Sequence, residues 1–360
     1  LIGLIAGMKC SSIMNKNLAK KITALLLCIL MLTAVGCNKK KKEDTESSAP
    51  SEVESQIAAP SILNPLTGVA DISADKATTR PVAVMVNNIS IAQPVQTGLA
   101  KADIVYETEV EGGITRLMAV YQDISKVERI GTVRSARYVY IDLAMGHNAI
   151  YVHHGQDPNY AKPHLKDTDD FTVSEGNYGV RTKNGLASEH TLYAYGDKLW
   201  SGLVKDGWKT ENKSSAPWQT FADATAPVSF ASPCSSVSVP FSTSCKTTFN
   251  YDAASGKYIR YFNGTLRTDY LTGESEQFKN VFVLMTTIKS YPIAKYRNIS
   301  LDSGDGYYCV NGTYTPIKWS KGSASSSFKF TNADGTPLTV NPGNSWVCIA
   351  SSSTSQPSFS

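Results

Sequence analysis

Residues 14–37, MNKNLAKKITALLLCILMLTAVGC, decide which part of this chain can fold and in which compartment it does so. Lys16, Lys20 and Lys21 form a positive n-region, and residues 22–35 are a largely apolar run of 14 residues. A helix crossing a hydrocarbon core of ~30 Å needs about 20 such residues, so this run is too short for a span. Ala34, Val35 and Gly36 lead into Cys37 as a lipobox does, with Ala34 where leucine is usual. Processing there removes the leader and leaves a diacylglyceryl group on Cys37; two acyl chains anchor stably where one does not. The expectation is a lipid-anchored protein on the outer face of the cytoplasmic membrane. Residues 1–13 precede Met14, the natural start, and are read as an upstream extension with no part in the fold.

The formal charge of +4 falls to zero on processing, because Lys9, Lys16, Lys20 and Lys21 leave and no acidic residue goes with them. A nucleic-acid binder would keep a basic excess or stripe, so that class is excluded. Four cysteines follow the anchor, Cys234, Cys245, Cys309 and Cys348, and they allow three pairings. Cys234 and Cys245 bracket a Ser-rich stretch that could be a stapled loop, while Cys309 and Cys348 lie in strand-like runs and could pair or be plain buried thiols. No CxxC occurs and no His stands near a Cys, so no zinc site is expected.

Residues 38–61 open with four lysines and continue as a polar Ser/Glu/Pro stretch, the composition of a disordered tether. The lysines would face anionic headgroups or serve only as a solvated charge run. From residue 62 the pattern turns globular. RPVAVMVNN, ADIVYETEVEGG, TRLMAVYQD and NAIYVHHG read as strands, and residues 136–147 as a helix with Ser135 as its N-cap. Two short helices are expected over 160–166 and 194–204. The period of two places Glu107, Glu109 and Glu111 on one strand face. This predicts an α/β N-terminal domain over 62–222, a Ser/Pro-rich connector over 223–246, and a mainly β C-terminal domain over 247–352, where short strands alternate with SG, NG, TG, DG and PG turns.

NPLTG, RPVAVMVNN, KADIVYETEVEGGITRLMAVYQD, RIGTVRSARYVYIDLA and IYVHHG resemble, in order and spacing, the N-terminal domain of the YerB-type lipoproteins. YDAASGKYIRYFNG, NVFVLMTT, IKWSKG and NPGNSWVCIA resemble that family's C-terminal β domain. The resemblance covers nearly the whole mature chain. It implies a two-domain extracytoplasmic lipoprotein of Gram-positive bacteria and no particular chemistry. The family tends to carry Pro-His-Asn-Leu-Tyr-Thr where this chain has Glu189-His190-Thr191-Leu192-Tyr193-Ala194, with His190 and Tyr193 kept. Glu107 and Glu111 match the family pattern, and Glu109 falls at a variable place.

The densest polar constellation is Glu107, Glu111, Arg116, Arg134, Ser135, Arg137, Asp142, His153 and His154. Strand ends and helix N-termini of an α/β sheet converge on one edge, where ligands bind. Arginines beside a helix start add fork-shaped donors suited to phosphate or carboxylate. The competing structural role is a salt-bridge network between these arginines and Glu107 or Glu111. His153 and His154 are consecutive in a strand and point to opposite faces, which argues against a two-His metal site. Candidate acid–base groups are Glu111, His153, His154 and His190. No HExxH, GxSxG or phosphate loop occurs, and neither metal nor cofactor is expected.

Two functions stay open. In one, the chain binds an anionic envelope ligand (glycopolymer, peptide or protein) through the Arg/Glu/His cluster. In the other, it is a hydrolase or transferase of an envelope polymer, with a Glu/His acid–base pair and arginines clamping the anion.

Overall fold

A computed structural model describes residues 62–212 and 216–360. The expected upstream extension, leader, Cys37 and tether lie outside the described residues, and the described residues fall in one compact unit. In the first half the strands of the main sheet are β1 (Val82–Asn87), β2 (Ile104–Glu109), β3 (Thr115–Tyr121), β4 (Ile150–His153) and β5 (Asp170–Thr172). Besides a single turn at Ala74–Ala77, the α-helices are α1 (Tyr138–Gly146), α2 (Ala161–Leu165) and α3 (Gly196–Lys205). The second half supplies β6 (Ser232–Pro233), β7 (Ser236–Pro240), β8 (Lys246–Asp252), β9 (Lys257–Phe262), β10 (Asn280–Thr286), β11 (Ile288–Ser290) and β12 (Arg297–Ile299). It continues with β13 (Ser303–Val310), β14 (Thr313–Ser320), β15 (Lys329–Asn332) and β16 (Ser345–Ser351).

Strands from both halves share one sheet of eleven, in the order β6-β14-β13-β10-β16-β2-β3-β1-β4-β5 with β15 beside β14. The seam is β16, which runs parallel to both β10 and β2. Every residue of β16 is buried, as is every residue of β1, β2 and β3, because both sheet faces are covered. On one face Val105, Trp346 and Cys348 pack with Val237, Val239, Phe249 and Phe262 of a smaller sheet built on β7, β8 and β9, and with Leu199 and Leu203 of α3. On the other face Ala83, Met85, Tyr106 and Met118 meet Val139, Tyr140 and Leu143 of α1 and the aromatic run Phe328 and Phe330.

This corrects several expectations. The first half is strand-dominated rather than a clear α/β layer, and its strands are joined to those of the second half. Residues 223–246 are no bare connector: β6 and β7 lie within them, and Cys234, Val237, Val239, Phe241 and Cys245 are buried. Ser135 is not the cap of α1. Backbone bonds from Arg134 N to Met85 O and from Ala136 N to Gly155 O hold residues 134–136 extended across the sheet edge, so the helix starts two residues later, at Tyr138, with Arg137 as N-cap. In the tight link between β2 and β3, Gly112 and Gly113 both take left-handed conformations (φ 74° and 71°), which glycine adopts without a Cβ penalty.

Candidate functional site

Strands β10, β16, β2, β1, β4 and β5 all point one way, with β3 antiparallel among them. Their C-terminal ends therefore lie along one edge, and α1, which leads back to the start of β4, begins at that same edge. This is where an open sheet of this kind places a ligand site. Arg116, the second residue of β3, pairs with Asn87, the last residue of β1, so it stands at that edge too.

Glu111 and Arg137 form a two-point ion pair here. Arg137 Nε donates to Glu111 Oε2 at 2.8 Å, Nη2 donates to Oε1, and Nη1 donates to the Ala136 carbonyl at 2.8 Å. Burial alone would raise the Glu111 pKa, but the hydrogen bond and charge of Arg137, with Arg116 behind it, hold it below the ordinary value. Arg137 moves the opposite way: burial opposes its charge, and Glu111 overrides it. Arg116 is buried and donates to the Ser135 carbonyl at 2.8 Å. Burial and the like charge of Arg137 bring it down to about 10.

The pair lies in a narrow cleft lined by Glu109, Glu111, Arg137, Tyr138, Asp157, Tyr160, Tyr291, Tyr296 and Arg297. The hairpin of β11 and β12 pairs only with itself and reaches over the edge. Tyr291 stacks on Tyr160 with ring centroids 3.8 Å apart, Tyr296 faces the Arg137 guanidinium at 5.3 Å, and Arg297 bonds Glu109. Asp157 holds the start of α2, accepting from the backbone of Asn159, Tyr160 and Ala161.

Other expected members are nearby but engaged elsewhere. Arg134 donates to the Glu189 carbonyl at 3.0 Å. His153 is fully buried, with Nδ1 at 2.8 Å from the Gly155 carbonyl and Nε2 at 3.0 Å from Asp170. His154 points its Nδ1 to the Val173 carbonyl at 2.7 Å and its Nε2 to Arg181 at 3.3 Å. Its backbone N–H bonds the Arg134 carbonyl, so the histidine strand end and the arginine segment lie side by side. His190 is held between Asn87 at 2.9 Å and Glu189 at 3.2 Å.

Two residues leave the cluster altogether. Asp142 sits further along α1 and pairs with His164 at 2.6 Å. Glu107 is fully buried toward the smaller sheet, where it accepts from Asn88, Thr115, Thr247 and Trp346. Burial raises its pKa against the nearby charge of Arg260. Glu107, Glu109 and Glu111 thus serve three different partners, and the shared face expected of them is not formed. Among the described residues no three His, Cys, Asp or Glu side chains are placed to hold a metal ion. The residues missed in the sequence, Asp157, Tyr160, Tyr291, Tyr296 and Arg297, come from segments more than 100 residues apart. The one local hint is YPIAKYR, two tyrosines and an arginine flanking a turn.

Comparison with known proteins places this architecture. Residues 66–209 match the "Protein of unknown function (DUF3048) N-terminal domain", and residues 237–347 match the corresponding C-terminal domain. YerB of Bacillus subtilis (strain 168), described as a candidate lipoprotein, is 29% identical over 350 residues, covering 92% of this chain and 95% of that protein. The crystal structure of YerB from Bacillus subtilis superposes with a TM-score of 0.71 at 28% identity, covering 82% of this chain and 99% of that one. With both domains matched in order across most of its length, the chain belongs to the YerB-type family defined by the two DUF3048 domains.

Proposed function

We propose that this is a lipid-anchored extracytoplasmic protein, acylated at Cys37, that binds an anionic segment of an envelope polymer or peptide at the edge formed by β1, β2 and β4. The leader and lipobox support the anchor, as does the description of YerB as a candidate lipoprotein. One observation carries the binding reading: the Glu111–Arg137 pair sits with Arg116 behind it in a tyrosine-lined cleft at the C-terminal strand edge. Three of the five N–H groups of Arg137 are engaged, which leaves two for a ligand oxygen. Tyrosine faces around them suit a chain with flat apolar and hydroxyl-bearing faces.

Binding is favoured over hydrolysis by the state of the acid–base candidates. Arg137 keeps Glu111 ionised, so it has no proton to give as a general acid, and both ring nitrogens of His153, His154 and His190 already face protein partners. The test is co-sedimentation of the purified protein with isolated cell-wall material, before and after its phosphate groups are removed. Sedimentation with the first and not the second is expected. A protein that sediments with neither, or that shortens the polymer, contradicts the reading.

A further inference from the structure

The cleft that holds the Glu111–Arg137 pair encloses only about 10 Å³, room for about one water molecule. A phosphate or carboxylate group needs several times that space, so a wall has to move before an anion reaches Arg137. Three of the walls are fixed by the backbone. Val110 N donates to the Ile114 carbonyl at 2.8 Å, Tyr140 N to the Arg137 carbonyl at 3.1 Å, and Asp157 N to the Ala136 carbonyl at 3.4 Å.

The fourth wall, the hairpin of β11 and β12, is different. At its base Ile288 faces Ile299, Ile299 is buried, and Ser300 N donates to the Thr287 carbonyl at 3.1 Å. Beyond that pair, residues 289–298 make backbone bonds only with one another among the described residues: Lys289 faces Asn298, Ser290 faces Arg297, and Tyr291 N donates to the Tyr296 carbonyl at 2.7 Å. Side chains hold this segment down. Tyr291 stacks on Tyr160 with ring centroids 3.8 Å apart, Tyr296 lies 5.3 Å from the Arg137 guanidinium, and Arg297 Nη2 donates to Glu109 Oε1. The last contact is incomplete. Arg297 Nε is buried with no partner, so the closed position leaves a donor unpaired that water would satisfy on opening.

Resting on the reading that the anion binds at Arg137, we propose that residues 289–298 are a lid, latched by the Glu109–Arg297 pair, that lifts to admit the anionic group and closes over it. The base stays in place because Ile299 is in the core, so the chain bends just beyond the Ile288–Ile299 pair. Lifting takes Tyr291 off Tyr160 and Tyr296 off the guanidinium, and the unengaged N–H groups of Arg137 become reachable. Closing again shields the ion pair and its ligand from water, as hinged loops do over a bound group.

The lid is tested first without a ligand. Nitroxide labels are attached to the full chain at positions 162 and 293 through p-acetylphenylalanine, which spares the cysteines; Lys162 on α2 and Ile293 at the lid tip are both exposed. Double electron–electron resonance reads the distance between them. Two distance populations are expected, and Arg297→Gln should raise the longer over the shorter roughly tenfold, as the loss of a charge-assisted contact does. The second measurement is the association rate of phosphate-bearing wall polymer with the immobilised protein. With its latch gone, Arg297→Gln should bind faster. A fixed wall predicts the opposite, because an arginine beside the site speeds capture of an anion. A single distance that Arg297→Gln leaves unchanged, or slower association by that variant, overturns the lid. Two populations in a protein whose affinity for the polymer is the same in Arg137→Ala would uphold the lid and overturn the anion site beneath it.

Discussion

Glu111 and Arg137, 26 residues apart in the chain, meet in a two-point ion pair in which the arginine also donates to the Ala136 carbonyl. The side chains are 27% and 13% exposed, so the pair is neither a solvated surface bridge nor a sealed one. Charge-assisted two-point pairing fixes geometry as well as energy. It presents a pre-oriented guanidinium to whatever enters between Tyr160, Tyr291 and Tyr296.

The second ion pair of note is sealed. Arg260 and Glu276 are 0% and 1% exposed, 2.7 Å apart, with Asn88 on the other Arg260 nitrogen and the Trp346 ring 4.4 Å beneath. Removing one member of such a pair leaves a buried uncompensated charge, at a cost of about 3–5 kcal/mol. Arg260→Met should lower the urea midpoint accordingly, and Arg260→Met with Glu276→Leu should recover most of the loss. Equal losses in the single and double variants would contradict this.

Two groups oppose each other in their pH response. Burial raises Asp103 to about 7, so its contribution to stability is full below its ordinary value of about 4 and is lost as pH rises to about 7. Burial, aided by Lys321, lowers His147 to about 3, so its contribution is full above its ordinary value of about 6.5 and is lost as pH falls toward about 3. Between those limits the slopes cancel in part. Relative to the parent, Asp103→Asn should tilt melting temperature upward with pH across that window, and His147→Gln should tilt it downward. Parallel profiles for both variants would refute the assignment.

The anchor is tested by Cys37→Ser. The variant should take up no labelled fatty acid and should move from the membrane to the soluble fraction. Retained label would locate acylation elsewhere.

The strands were legible because their residues carry the signal locally: VAVMVN and TRLMAVY are continuous apolar runs, and NPLTG and GG mark their turns. What joined them was not legible. SWVCIAS reads as a strand of the second half, but nothing in an apolar run states that its neighbour will be IVYETE rather than another strand of its own half. The arginine cluster was half legible. Arg116, Arg134 and Arg137 do reach one edge, because they flank strand ends, and Glu111 follows through the Gly112–Gly113 turn. Glu107 was misplaced because strand alternation fixes only which side it takes, and a second sheet bearing Thr247 covers that side. The tyrosine wall depends on a hairpin far along the chain, and only the assembled sheet brings it over the cleft.

The central claim is that Arg137, held by Glu111, is where the anionic ligand binds. The most direct measurement is the affinity of Arg137→Ala for phosphate-bearing wall polymer, taken alongside its melting temperature. A charge-assisted contact contributes about 1.5–3 kcal/mol, so the account predicts a loss of roughly 10- to 100-fold in affinity with the fold retained. A lowered melting temperature with unchanged affinity would mean that the pair is structural and that the ligand site lies elsewhere.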